Sequence, residues 1–340
     1  MELKKITTYN ESYAAFIDHP LQSWAWGEAR EKLGTTVFRF GIFETETLIA
    51  WYQMSLHHIP KTKFSIGYIP RSHAPSQEHI ELFKAFAHQH NIIAITFEPL
   101  EDPKNNLITS DFKESFMTLL PKWTQMIDLT KSEEQLLKDM DAQARYNIRL
   151  AERKGVTISE ESTTEGFETF WKLYEDTEKR QGYLGHSYTH HKTIWDTLSH
   201  GIAHLFIATV DSTPIAGFET FVWKDTLYYP YGGSDAAYQK LKGPNLGIWN
   251  LILFGKRLGL TKLDLWGSLG PGYAKDHPWA GFTGFKETFG TKFHAYGGTY
   301  DLIVLPSHYT LYKVLFGIRK QVFKIYNLFT AWKKAFASKR

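Results

Sequence analysis

Strand-like and helical apolar patterns alternate along this chain of 340 residues, and the alternation runs through twice. In the first pass, β-like runs at 37–43, 48–54 and 92–97 are interleaved with helical spacing over 24–33 and 78–88. The second pass begins after a helix around Arg145. A helical stretch over 167–180 precedes β-like runs at 203–210, 215–222 and 226–231, the first two joined by a hairpin turn at Asp211-Ser-Thr-Pro214. A chain with this pattern buries its apolar faces only by laying helices on sheets, so mixed α/β (α+β) layers are expected. Its length exceeds what one compact core usually serves, which predicts two domains, 1–135 and 136–305, followed by a separate tail over 306–340. No Gly/Ser/Pro-rich linker separates the halves, so a tight interface between them is expected.

The richest local signal lies between Pro244 and Tyr300. A helical run over 246–258 closes on Gly259 as a C-cap, and 262–266 then alternates like a strand that Asp264 and Gly267 bring to a loop. Downstream, Gly281-Phe-Thr-Gly-Phe285-Lys286-Glu-Thr-Phe289-Gly290 places one cation among three aromatics and three glycines. Such a lysine either snorkels from a core segment or is aimed into a cleft.

Taken in order, Asp264-Leu-Trp266-Gly267 and the Gly281–Gly290 segment resemble the carboxy-terminal half of the Fem family, transferases that build peptidoglycan bridges from aminoacyl-tRNA. Earlier pieces are similar too: Gln22-Ser23 with Trp26 and Arg30, then Tyr68-Ile-Pro70-Arg71, where Ser72 and His73 replace the family's Gly-Pro, then Glu98-Pro99. Ile127-Asp128-Leu129 with Ser132-Glu-Glu, and Arg145-Tyr-Asn147-Ile148-Arg149 through Gly155-Val156, complete the series. The resemblance implies two acetyltransferase-like (GNAT-like) domains facing each other across a cleft. No heptad-bearing insertion falls between Ala151 and Tyr183, so it implies the compact form without the helical arm. It further implies that Arg30, Tyr68, Arg71 and Tyr231 hold the acceptor's phosphates and peptide, with Phe285 beside them. Lys286 is the expected cation for a developing oxyanion, and Glu98 the candidate to receive the amine's proton.

Three further constellations bear on partners. Arg145, Arg149 and Arg153 recur at i, i+4 and i+8, so a helix would present them as one stripe suited to phosphates, unless Asp141 and Glu152 neutralise a merely solvated face. After Asp301 the chain has no acidic residue, while basic and apolar residues recur at helical spacing. This predicts a basic amphipathic helix whose first half packs on the first domain and whose end, 333–340, contacts a membrane surface. The histidines His186, His190 and His191 include an i, i+4 pair, yet no carboxylate follows at metal-site spacing, and no metal is expected. Family members commonly carry arginine and tyrosine near these positions. Tyr229-Pro-Tyr231-Gly-Gly-Ser234 has the family's Tyr-x-Tyr-Gly-x-Ser shape, or else makes a simple turn at its glycines.

Composition narrows the classes. The 39 basic and 36 acidic residues nearly balance, which excludes a general coating of polyanions and makes any nucleic-acid contact local. Without cysteine there is no disulfide, thiol nucleophile or iron–sulfur site. No cofactor is expected. The leading expectation is an aminoacyltransferase acting on aminoacyl-tRNA and a peptidoglycan precursor, nucleotide-linked or lipid-linked, as a cytoplasmic monomer with peripheral membrane contact. An acyl-CoA N-acyltransferase is the rival, although Gly243-Pro244 offers a poor pyrophosphate cradle because proline lacks an N–H. A non-catalytic binding module at a membrane surface is the third.

Overall fold

The computed structural model describes residues 1–103, 111–182 and 185–319. Among them two seven-stranded sheets form. The chain first lays down β1 (Glu2–Lys5), β2 (Thr36–Glu44), β3 (Thr47–His58), β4 (Ser65–Pro70), β5 (Ile92–Glu98) and β6 (Phe112–Glu114). It then lays down β7 (Trp123–Asp128), β8 (Thr157–Glu160), β9 (Ala203–Val210), β10 (Thr213–Trp223), β11 (Thr226–Ser234), β12 (Lys262–Ser268) and β13 (Lys292–Ala295), and ends with β14 (Tyr300–Ile303). The helices that matter below are α1 (Trp24–Lys32), α2 (Gln77–Gln89), α3 (Glu133–Asp139), α4 (Ala142–Arg153), α5 (Thr164–Gln181), α6 (Tyr188–Leu198), α7 (Gly243–Arg257), α8 (Ala280–Glu287) and α9 over 306–319.

Both sheets follow the apolar patterns. β5 reads Ile-Ile-Ala-Ile-Thr-Phe-Glu, buried along its whole length, as a strand covered on both faces must be. It runs parallel to β4, with α2 as the crossover; Ser76 caps α2 through the His79 N–H, and Ile80, Phe83 and Ala87 face the sheet. In the second half α7 is buried nearly all round, and Gly247 lets it approach β10, since a Cβ there would meet the Phe218 ring at 1.9 Å. On the other face α5 contributes Phe167, Phe170 and Tyr174 to a core shared with α6.

Sheet membership departs from the expected divisions at 135 and 305. The first sheet runs β1-β2-β3-β4-β5-β14-β6 and the second β13-β7-β12-β11-β10-β9-β8. Thus β7, early in the chain, is an inner strand of the second sheet, and β14, near its end, is an inner strand of the first. The chain changes sheets between 114 and 123 and returns between 295 and 300. Tyr300–Ile303 pairs with β5 on one side and β6 on the other and is wholly buried, so the first sheet is complete only with this late segment.

The halves lock together around α1. Ala29 sits in the α5–α6 core with Phe167, Ile194 and Trp195, and Lys32 Nζ donates to Thr197 Oγ1 at 3.1 Å. Trp223 Nε1 donates to the Ile17 carbonyl at 2.7 Å, and Lys224 pairs with Asp18. At the other end α9 starts on the first sheet: Tyr309 is buried beside Ile66 and Ile303, and its hydroxyl donates to Asp301 at 2.7 Å. The segment 333–340, expected at a membrane, lies outside the described residues.

Candidate active site

Local chemistry explains why the early motif residues stand where they do. Gln22 is buried and bridges two strands: its amide donates to the carbonyls of Gln53 (3.1 Å) and Pro70 (2.6 Å), and its side-chain oxygen accepts from the Gln53 N–H (2.7 Å). Ser23 then caps α1 through the Trp26 N–H. Together they fix the helix that carries Arg30. Burial lowers the Arg30 pKa somewhat, while the hydroxyls of Tyr68 and Tyr231 act in the opposite sense. Arg30 therefore lies within electrostatic reach of both sheets.

Lys286 occupies the centre of the second cluster. Its residue is only 7% exposed, and Nζ donates to the carbonyls of Leu265 (2.5 Å) and Gly267 (2.8 Å), with the Phe282 ring centroid 4.3 Å away. The two carbonyls face it because β12 is irregular between Asp264 and Gly267, where Trp266 takes a φ of 60°. A bulky residue in that conformation needs enforcement. Asp264 supplies it, accepting from the Trp266 N–H (2.7 Å) and the Tyr296 hydroxyl (2.5 Å), while the Thr124 hydroxyl lies against both Asp264 and the Trp266 carbonyl. Burial pushes the Lys286 ammonium down to about 7, against the pull of Asp264. α8 is held in turn by Gln125, whose amide donates to the Thr283 carbonyl at 3.0 Å. Gly290 is required just beyond: its φ is +70°, and a Cβ would meet the Asp139 carbonyl oxygen at 2.7 Å.

Tyr68 joins the two clusters. It lies in β4, which ends at Pro70, and its hydroxyl donates to Glu98 Oε2 at 2.5 Å. Arg71, at φ 46°, stacks its guanidinium 3.7 Å from the Tyr296 ring centroid and donates to the Pro121 carbonyl at 2.7 Å. Burial raises the Tyr68 pKa well above the phenol range, Glu98 adds to it, and Arg71 and Arg30 oppose it. Asp264, Tyr296 and Arg71 touch in turn, with Lys286 within electrostatic reach of Asp264 and Tyr68 within reach of both Arg71 and Arg30, so these six residues make up a polar line. His19 lies along it, edge-on to Tyr228 (4.8 Å) and near Trp266 (5.4 Å), its pKa driven down by burial and by Arg71.

Tyr231 lies in β11 beyond the point where that strand's parallel pairing with β12 stops, at Tyr228 opposite Asp264. The strands separate there. Tyr231 contacts His191 (4.7 Å) and Tyr174 (5.9 Å). His186 stacks on His190 at 3.9 Å, and burial is the main reason that His190 falls to about 3 and His191 to about 4, so both rings are neutral at pH 7. Phe285 packs on Phe289 at 5.2 Å, partly buried against the α7 side of the second core rather than in the polar line.

A model of the FemAB family matches residues 106–214 and 211–316, more than half of the sequence. The chain belongs to the FemAB family. Among curated relatives, the lipid II:glycine glycyltransferase of Staphylococcus saprophyticus is 24% identical over 239 residues, 63% of this chain and 57% of that relative. The chain therefore spans little more than half the relative's length. Among solved structures, the crystal structure of FemX superposes with a TM-score of 0.79 at 20% identity, covering 91% of this chain and 99% of the other. A tandem GNAT protein from the clavulanic acid biosynthesis pathway gives 0.52 at 9% identity, covering 89% and 98%. The fold is the FemAB one: mixed α/β with two GNAT-like domains.

Against that family frame, two site residues have other work than sequence suggests. Glu98 is 1% exposed and accepts four hydrogen bonds, from the Leu119 and Leu120 N–H groups (2.9 and 2.8 Å), Thr299 Oγ1 (2.9 Å) and Tyr68. A carboxylate so engaged fixes Tyr68 and the 119–120 turn; Oε1 takes three of the four hydrogen bonds, and Oε2, which accepts from Tyr68, keeps one lone pair. Arg145 donates to the carbonyls of Leu137 (3.2 Å) and Met140, closing the end of α3, so the stripe loses its first member. Arg149 and Arg153 remain exposed, with Arg153 5.9 Å from the ring of exposed Tyr146. Sequence reading passed over Glu219. It is fully buried across from Tyr231 in the β10–β11 pair, neither carboxylate oxygen has a hydrogen-bond partner, and burial pushes its pKa to about 8. A charged residue inside the apolar run of β10 was the available signal.

Proposed function

We propose that this chain transfers an aminoacyl group from aminoacyl-tRNA to an amine on the stem peptide of a peptidoglycan precursor, either nucleotide-linked or lipid-linked. The observation that carries the reading is Lys286, a buried amine pinned by two backbone carbonyls where β12 breaks, with a pKa brought by burial to about 7. The kinship with a lipid II:glycine glycyltransferase supports the acceptor class.

An aminoacyl ester is already activated, so alignment and charge stabilisation suffice. The acceptor amine attacks the ester carbonyl; the C–N bond forms, the C–O bond to the ribose breaks, and one amine proton ends on the departing ribose oxygen. Lys286 as ammonium stabilises the oxyanion, and near neutral pH it also exchanges the proton that the ribose oxygen needs. Arg30, Arg71, Tyr68 and Tyr231 hold the acceptor's phosphates and peptide along the polar line. Arg149 and Arg153 take tRNA phosphates. The work falls on the cytoplasmic face, where charged tRNA is found, and the protein acts as a monomer. Among the described residues no helix is long and apolar enough to cross a membrane.

The deciding experiment incubates the protein with charged tRNA and each precursor and follows amino-acid addition. RNase-sensitive addition is expected. Equal addition from acyl-CoA without RNA would overturn the proposal in favour of an acyl-CoA enzyme, whose pyrophosphate would have to sit at the start of α7, where Pro244 lacks an N–H donor.

A further inference from the structure

The first described turns of the C-terminal tail carry two apolar faces, and among the described residues only one of them packs against the rest of the chain. On α9, Tyr309, Tyr312 and Phe316 pack around Phe116, with ring centroids 5.5–6.0 Å apart. The other face presents Leu311, Val314, Leu315 and Ile318, a spacing of i, i+3, i+4 and i+7, and these side chains are 57, 54, 54 and 55% exposed. Four aliphatic residues on one helical stripe, each more than half exposed, form a patch of a kind that single scattered apolar residues do not.

Charge surrounds the stripe, all of one sign on the helix itself. Lys313 and Arg319 flank it, and Lys313 Nζ lies 5.9 Å from the Phe116 ring centroid. The β3–β4 hairpin adds exposed Lys61 and Lys63, brought alongside because Phe64 contacts the His308 ring at 4.3 Å. From Leu302 to Arg340 the sequence holds eight Lys and Arg and no Asp or Glu. An RNA would match the cations and leave the aliphatic stripe in water. An anionic lipid surface matches both.

We propose that α9 lies in the headgroup plane of an anionic phospholipid bilayer, with Leu311, Val314, Leu315 and Ile318 among the acyl chains and Lys61, Lys63, Lys313 and Arg319 against the phosphates. The contact deepens the proposed function, on which it rests for its purpose, by bringing the active site to where a lipid-linked acceptor is held. The geometry that supports it is independent of the chemistry.

The test uses the full chain and contains neither tRNA nor precursor, so its failure is separable from failure of the transferase reading. Co-sedimentation is measured with phosphatidylcholine vesicles, with and without phosphatidylglycerol. Binding to the phosphatidylglycerol vesicles, weakened by salt, is expected. Leu311→Ser with Leu315→Ser should lower the partition coefficient about tenfold or more without changing the melting temperature, since both side chains are exposed. Lys61→Glu with Lys63→Glu should lower it similarly through the other element. Equal binding to neutral vesicles, or unchanged binding by the leucine variant, overturns the proposal. So does a dimer in light scattering that the leucine variant converts to monomer, which would assign the stripe to a second copy of this chain.

Discussion

At the scale of single residues, Lys286 and Glu219 are two buried ionisable groups displaced in opposite senses. Lys286 near 7 means that the ammonium is half populated at neutral pH, so turnover should bend around pH 7. Lys286→Met should lower turnover by roughly two to three orders of magnitude with a smaller effect on precursor affinity, read from single-turnover kinetics and direct binding. Wild-type kinetics in that variant would make the lysine a structural anchor for Leu265 and Gly267. Its folded pKa lies below the ordinary lysine value, so its contribution makes the protein more stable as pH rises from about 7 toward the unfolded value. Glu219 runs the other way. Its folded pKa, about 8, lies above the unfolded value, so between roughly pH 4.5 and 8 the folded state holds a proton the unfolded state has lost, and stability falls as pH rises. Glu219→Gln removes that slope. Relative to wild type it should gain about 4 kcal/mol between pH 4 and pH 8 in denaturant titrations.

Elements place those residues. β12 can offer the carbonyls of Leu265 and Gly267, either side of Trp266, to Lys286 only because Asp264 and Thr124 hold Trp266 in a left-handed conformation. Asp264→Ala should cost about 2–4 kcal/mol, as buried donors on Tyr296 and Trp266 lose their acceptor, and should lower turnover together with stability. The basic stripe of α4 divides by role. Arg145→Ala should destabilise by about 1 kcal/mol by freeing the α3 carbonyls while leaving RNA affinity nearly intact. Arg149→Ala with Arg153→Ala should leave stability unchanged and weaken binding to tRNA, with a shallower dependence on salt. Fluorescence anisotropy at two salt concentrations separates the two outcomes. Helical spacing put all three arginines on one stripe, but only the fold shows that α3 ends beneath the first of them.

Across the whole molecule, the exchange of β7 and β14 makes each sheet depend on the other end of the chain. A fragment of residues 1–135 should therefore fail to fold: β14 would be missing from between β5 and β6, and β7 would have no partner strands. Circular dichroism and amide-proton dispersion would show it; a cooperative, native-like fragment would contradict it. The sequence by itself determined the alternation of elements, the mixed α/β class and the FemAB resemblance, which named Lys286, Tyr68 and Arg30 as candidates, because apolar periodicity, caps and motif spacing are properties of neighbouring residues. Only the tertiary structure decided which sheet β7 and β14 join, that Leu119, Leu120, Thr299 and Tyr68 all hydrogen-bond to Glu98, that burial brings Lys286 to about 7, and that Leu311, Val314, Leu315 and Ile318 of α9 stand exposed. Those outcomes depend on strand partners, desolvation and donors contributed from tens to hundreds of positions away, and such contacts leave no period in the sequence to read.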